Sequence, residues 1–247
     1  MWIKKPDNIL TESFFQNVNF LYKEKNIYVM DNHLCAAWAW LQELDVNSSH
    51  KLFHIDRHHD LSVDKTRIKE LVLDKNISLP DLTFEDFCAL SYKLDYSDYD
   101  YKLFQWDNYI RNISTIYPNF YEETIFSFYD RAGVCEEFIV NEVSFDLLPD
   151  NISYWINREA ASSWILNLDI DYFFMDLGNN TTEVFTDGYI ISVAESIKRA
   201  LDNIDVVTIC LSPECCGGWQ NSIRVADLIS KVLDLNFNLA NCEIDDI

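Results

Sequence analysis

Glycine and proline are scarce, five of each in 247 residues, while 49% of the chain is hydrophobic and 15% aromatic. Such a composition excludes collagen-like, low-complexity and disordered chains and provides ample material for a core. Basic residues are also few, 19 against 41 acidic ones, for a formal net charge of −22. This excess argues against a nucleic-acid partner, whose phosphates demand a basic face. No run approaches the roughly 20 uninterrupted apolar residues of a membrane helix. The start, Met1-Trp2-Ile3-Lys4-Lys5-Pro6-Asp7, is too polar for a signal peptide, so a cytoplasmic protein with no membrane partner is expected. Cys35, Cys88, Cys135, Cys210, Cys215, Cys216 and Cys242 are an odd, unevenly spaced set. A chain with its own core needs no staples, and they read as reduced thiols. Asn-x-Ser triplets at Asn112 and Asn151 read as chance in an Asn-rich chain rather than as glycosylation sites.

Repeats, low-complexity tracts and Gly/Ser linkers are missing too, so a single domain over residues 1–247 is expected. The informative signal is a recurring arrangement of short apolar runs that end in acidic or imidazole side chains. Ile27–Met30 precedes Asp31-Asn32-His33, and Lys51–Ile55 precedes Asp56-Arg57-His58-His59-Asp60. Trp164–Leu168 precedes Asp169-Ile170-Asp171, and Val206–Leu211 precedes Ser212-Pro213-Glu214. Near-continuous hydrophobic strands are what a parallel sheet covered on both faces requires. Helical periodicity lies between them, over 187–204 and Ser222–Leu235, with a more apolar helix starting at His33. The alternation predicts a doubly wound α/β sheet, in which ligands bind outside the carboxyl ends of the strands.

Residues 62–160 are less regular. Thr83–Leu94 reads as a helix with Thr83 as N-cap, and Tyr101–Ile116 as an aromatic-rich helix. No strand is predicted there. Tyr96, Tyr99, Tyr101, Trp106, Tyr109, Tyr117, Phe120 and Tyr121 read as packing material rather than as a binding surface.

The strongest motif is Asp56-Arg57-His58-His59-Asp60. On extended backbone, side chains at i, i+2 and i+4 share a face, which would point Asp56, His58 and Asp60 together, and likewise Asp169 and Asp171. Four carboxylates gathered without counter-charge repel one another, whereas a pair of divalent cations neutralises them. Oxygen donors with imidazole second suit Mn²⁺ better than tetrahedral Zn²⁺. Two such ions lower the pKa of a water they share, so hydrolysis is the expected chemistry.

His33, Asp56-x-His58-x-Asp60 and Asp169-x-Asp171, in that order after successive strands, resemble the six metal ligands of the ureohydrolases, the arginase and agmatinase superfamily. With Leu211-Ser212-Pro213-Glu214 and Leu168-Asp169-Ile170-Asp171-Tyr172-Phe173, the likeness extends to a small arginase-like family that includes the peptide arginases of ribosomal natural-product biosynthesis. It covers residues about 26–62 and 163–220. The resemblance implies a three-layer α/β/α fold with a mostly parallel sheet, shared by arginases and deacetylases, and two Mn²⁺ ions. One ion would take His33, Asp56, Asp60 and Asp169; the other would take His58, Asp56, Asp169 and Asp171. It implies further that Asp60 relays a proton to the leaving amine and that Glu214 binds the guanidinium group. The deacetylase branch keeps one metal site, which disfavours amide hydrolysis here. Free-arginine arginases carry an additional shuttle histidine, but no histidine follows His59, which leaves His59 or water for that role. Segments that grip the α-amino and α-carboxylate groups of free arginine are not recognisable either.

The resulting expectation is a hydrolase that converts arginine side chains of a precursor peptide to ornithine with release of urea. Two alternatives fit the same residues, an agmatinase-like hydrolase of a small guanidine or amidine and a non-catalytic metal-dependent binder of basic peptides. Read alone, His33 is a core or capping histidine and His54 a packed one. A zinc site from Cys210, Cys215, Cys216 and His33 is disfavoured because neighbouring cysteines rarely face one ion.

Overall fold

Alternating side chains along the buried strands sort the apolar residues onto two faces, and each face is covered by helices. The computed structural model describes residues 1–14, 16–95, 97–130, 137–159, 162–178, 180–239 and 242–244; Tyr96 and Cys135 lie outside them. Eight strands form the main sheet: β1 (Trp2–Lys4), β2 (Leu21–Glu24), β3 (Ile27–Met30), β4 (His50–Ile55), β5 (Tyr121–Ser127), β6 (Asn141–Glu142), β7 (Trp164–Asp169) and β8 (Val206–Cys210). Their order is β1-β2-β3-β8-β7-β4-β5-β6. All pairings from β3 through β6 are parallel, and only β1–β2 and β2–β3 are antiparallel.

Ile27, Val29, Phe53, Ile55, Leu166, Leu168, Val207 and Ile209 point to one core, which is completed by α5 (Leu148–Asn157), α6 (Asp187–Ala200) and α7 (Trp219–Val232). Tyr28, Met30, Leu52, Ile165, Val206 and Cys210 point to the other. That side is completed by α1 (Leu34–Glu43), α3 (Phe84–Ala89) and α4 (Tyr109–Ile116), with the short α2 (Lys65–Ile68) at its margin. The fold is therefore α/β in three layers with a mostly parallel sheet, as expected. Among the described residues no helix is long and apolar enough to cross a membrane. Cys35, Cys88, Cys210, Cys215, Cys216 and Cys242 are free thiols.

The middle of the chain departs from the sequence reading. Thr83 caps α3 through its Oγ1, which accepts from Asp86 N–H at 3.1 Å. The helix nevertheless stops at Ala89, because Ser91–Lys93 turns into a hairpin with Asp100–Lys102. That hairpin also removes the first half of the helix expected over Tyr101–Ile116, leaving α4 to begin at Tyr109. β5, for which no strand was predicted, pairs with β4 along its full length. Its Tyr121-Glu122-Glu123 start is half-exposed and only its second half is buried, so the run lacks the apolar continuity that marked the other strands.

Candidate metal centre

Polar residues follow the carboxyl ends of β3, β4, β7 and β8, and the sheet order places these four strands side by side. His33 stands between β3 and α1, where the Asn32 side chain accepts from Leu34 N–H at 3.0 Å and turns the chain into the helix. Its Nδ1 lies 3.1 Å from Asp60 Oδ2, 3.2 Å from Asp169 Oδ2 and 3.6 Å from Asp56 Oδ2. His58 Nδ1 lies 3.0 Å from Asp171 Oδ2 and 3.4 Å from Asp56 Oδ1. Donor atoms thus gather in two groups, His33 with Asp56 and Asp60 and His58 with Asp56 and Asp171, and Asp56 is common to both. Asp169 stands with His33 on the first side, where Cys210 also lies close.

Turns, rather than the strand pleat anticipated from the spacing, bring these groups together. β4 ends at Ile55; Asp56 Oδ1 then accepts His58 N–H at 2.6 Å, and Asp60 sits in the left-handed region at φ +52°. Asp tolerates that backbone better than most residues. On β7, Asp169 is the N-cap of the short 3₁₀ helix Ile170–Phe173, its Oδ1 accepting Asp171 N–H at 2.9 Å. Its other oxygen accepts from Ser212 Oγ at 2.6 Å, and Ser212 is itself left-handed at φ +39°. Neither Ser212 nor Arg57, whose Nε lies 3.8 Å from Asp171 Oδ2, was singled out from the sequence. Both occupy the polar strand ends that the motif analysis had marked.

Asp56, Asp60, Asp169 and Asp171 are all buried, and the electrostatics follow from that. Burial, with Asp60 and Asp171 nearby, pushes the Asp56 carboxyl well above the ordinary range. Asp169 is pushed up by burial and by Asp171. Burial raises Asp60 to about 8 against the pull of His58. Asp171 alone is held low: burial opposes its charge, but the hydrogen bond and charge of His58 and the charge of Arg57 prevail. His58 is pushed up to about 12, its burial outweighed by hydrogen bonds to Asp171 and Asp56. Asp56 Oδ2, the oxygen nearest both His33 and His54, is buried with no hydrogen-bond partner. A buried oxygen left unsatisfied in a crowd of acids is a cation's coordination sphere in waiting, so the residues fit a pair of hard divalent ions.

Two cavities flank the cluster and share Trp106 as a wall. One is lined by Ser13, Phe14, His33, Ser212, Glu214 and Cys215 among others, and the second by His58, His59, Asp60, Ser62, Asp107 and Asp130. Glu214 thus opens onto the first cavity, its carboxylate held by Ser13, which donates from N at 2.5 Å and from Oγ at 2.9 Å. His59 lines the second, with Nδ1 accepting Leu61 N–H at 3.1 Å. Trp106, 38% exposed, belongs to the aromatic run read as packing. Tyr109 and Phe120 of that run are fully buried, whereas Trp106 faces the site.

No protein-family model matches the chain, and no curated protein matches it. Among solved structures it is similar to the arginase of Entamoeba histolytica in complex with L-ornithine, at 12% identity and a TM-score of 0.49 over 85% of this chain and 69% of that one. It is similar to a hypothetical agmatinase from Burkholderia thailandensis at 10% identity and a TM-score of 0.49, over 84% of this chain and 56% of that one. Proclavaminate amidino hydrolase from Streptomyces clavuligerus is similar at 11% identity and a TM-score of 0.46, over 84% of this chain and 62% of that one. The chain thus spans 56% to 69% of the length of these structures.

Proposed function

We propose that this protein is a dinuclear manganese hydrolase of guanidino C–N bonds, acting on arginine side chains within a peptide to leave ornithine and release urea. One observation carries the reading: two donor groups, buried His33 with its carboxylates and half-buried His58 with Asp171, share the buried Asp56, whose Oδ2 has no hydrogen-bond partner. The ordered motif His33, Asp56-x-His58-x-Asp60 and Asp169-x-Asp171 supports the choice of a guanidino substrate.

His33, Asp56, Asp60 and Asp169 would hold one ion, and His58, Asp56, Asp169 and Asp171 the other. The chemistry such a pair supplies when bound is a water acidified enough to attack at neutral pH. Glu214, fixed by Ser13 at the wall of the first cavity, pairs with the planar guanidinium and presents its carbon toward the acidic cluster. As the water oxygen adds to that carbon, the Asp60 carboxylate would take up one of its protons. It would then give that proton to the side-chain nitrogen as the C–N bond breaks, yielding urea and a primary amine. His59, in the cavity wall beside Asp60, would pass to solvent the second proton of that water, which is released as the urea carbonyl forms. A net charge of −22 draws cationic peptides toward the site at low salt.

The test is to incubate Mn²⁺-loaded protein with arginine-containing peptides and weigh the products. Conversion removes about 42 Da per site, the mass difference between arginine and ornithine side chains under metal-assisted hydrolysis. Urea released from agmatine or free arginine, with no change in any peptide, would instead assign a small-molecule substrate. Glu214→Gln keeps an acceptor for Ser13 but removes the charge. It raises KM for the peptide by about tenfold or more, as loss of a charge-assisted pair predicts, and leaves the manganese content unchanged. An unaltered KM in steady-state kinetics would remove Glu214 from the substrate site.

A further inference from the structure

Three polar side chains interrupt the apolar strands at the same level of the sheet. Asn167 on β7 is in register with Thr208 on β8 and with His54 on β4, and all three are fully buried. They lie beneath the acidic cluster and connect to it through a chain of hydrogen bonds. Trp40 of α1 donates from Nε1 to Thr208 Oγ1 at 3.2 Å, and Thr208 Oγ1 donates to Asn167 Oδ1 at 2.6 Å. Asn167 Nδ2 lies 3.0 Å from both His54 Nδ1 and Tyr109 Oη, and 3.3 Å from His33 Nε2. The far nitrogen of His54, Nε2, faces Asp56 Oδ2 at 3.6 Å. Neither of these two atoms has a hydrogen-bond partner.

The direction of the chain is fixed at its inner end. An indole N–H can only donate, so Thr208 oxygen accepts there, and its own hydrogen goes to Asn167 Oδ1, which lies 2.6 Å away. That assigns the carbonyl of the Asn167 amide to the threonine side and its NH₂ to the imidazole side. The amide has two hydrogens for three neighbours, and they go to the two at 3.0 Å, Tyr109 Oη and His54 Nδ1, rather than to His33 Nε2 at 3.3 Å; an N–H directed at His54 Nδ1 requires a lone pair on that nitrogen. The single proton of a neutral, buried His54 then sits on Nε2, aimed at the carboxylate that the two donor groups share. We propose that Trp40, Thr208 and Asn167 form a one-way hydrogen-bond relay that holds His54 in its Nε2–H form, making His54 a positioning residue for Asp56. The role at Asp56 rests on the cation-binding reading above, whereas the tautomer does not.

The experiment uses ¹⁵N-histidine-labelled, metal-free protein and long-range ¹H–¹⁵N NMR, with the His54 signals identified by their loss in His54→Phe. Wild type carries the proton on Nε2. Asn167→Asp has nearly the same shape but no N–H to give, so the His54 proton moves to Nδ1. Thr208→Val keeps the amide but removes the hydroxyl that orients it, giving a mixture, and Thr208→Ser restores the wild-type form. Should Asn167→Asp not fold, the Thr208 pair carries the same test. Mn²⁺ titration of the same proteins gives a dissociation constant raised about 10–100-fold in Asn167→Asp and His54→Phe, the usual consequence of losing a group that orients a metal ligand. A wild-type proton on Nδ1 overturns the relay, and a measurable Mn²⁺ affinity that is unchanged across the variants overturns the positioning role at Asp56. Wild-type protein that binds no Mn²⁺ yet carries its proton on Nε2 supports the relay and overturns the dinuclear reading instead.

Discussion

Asp56→Asn removes divalent-cation binding from both positions at once and leaves the metal-free protein at least as stable as wild type. Asp56 is the residue that the His33 and His58 groups have in common, so one neutralised carboxylate weakens both. Asparagine preserves the shape and still accepts the His58 N–H now bonded to Oδ1. What disappears is a fully buried charge that burial, Asp60 and Asp171 all disfavour. Relieving it stabilises the metal-free fold by on the order of 1–2 kcal/mol, since like charges in a desolvated site oppose folding. Asp171→Asn behaves in the opposite sense. Asp171 is the carboxylate held low by His58 and Arg57, and both cations are themselves largely buried. Arg57 is then left with the exposed Asp176 alone and His58 with Asp56 alone, at a cost of about 3 kcal/mol, the low end for breaking a buried pair. Metal content after dialysis and melting temperature in chelator distinguish the two. An Asp56→Asn variant that retains two ions would show that the groups do not share this residue. One that melts far below wild type would make its carboxylate a structural anion.

The contrast between these two aspartates was not legible in the sequence, although the cluster was. Asp56, Asp60, Asp169 and Asp171 announced themselves because they fall in pairs at or just past the ends of two mostly apolar strands, β4 and β7, which lie side by side in the sheet. Spacing alone could not reveal that Asp60 reaches His33 through a left-handed turn, nor that Asp169 spends one oxygen on capping Asp171 N–H. Those depend on backbone that leaves the strand. Ser13, which holds Glu214 from 201 positions away in sequence, was beyond any local pattern. The buried row of His54, Asn167 and Thr208 was different. Each was visible as a lone polar residue inside an apolar run, and only the register between strands was needed to join them. β5 escaped because half of it is solvent-facing, which erases the hydrophobic continuity used to recognise the others.

Lowering the pH from about 8 to about 5 stabilises the metal-free protein and destabilises the manganese-loaded one, because protons and cations compete for the same atoms. Asp60 has an ordinary value of 3.8 and titrates at about 8 in the fold. Between those limits the folded state binds a proton that the unfolded chain does not, so each fall in pH favours folding. His58 acts in the same direction. Its ordinary value of 6.5 is raised to about 12, so its stabilisation is complete below 6.5 and eroded as pH rises toward the folded value. Asp171 is shifted the other way, and its stabilisation is lost only at pH below the ordinary carboxylate value, outside this window. The Asp60 contribution alone amounts to several kcal/mol, about 1.4 kcal/mol for each pH unit traversed between the two values. Loading reverses the slope. Ligation requires ionised carboxylates and a free lone pair on each imidazole, so binding releases protons, affinity falls with pH, and the stabilisation that scales with the logarithm of cation concentration over Kd shrinks. Melting temperatures recorded from about pH 5 to about pH 8, in chelator and in Mn²⁺, are the measurement. Opposed slopes require the acids to be buried, crowded and shared with a cation. An acidic surface that is merely solvated titrates near its ordinary value in both states and gives curves that run parallel across this range.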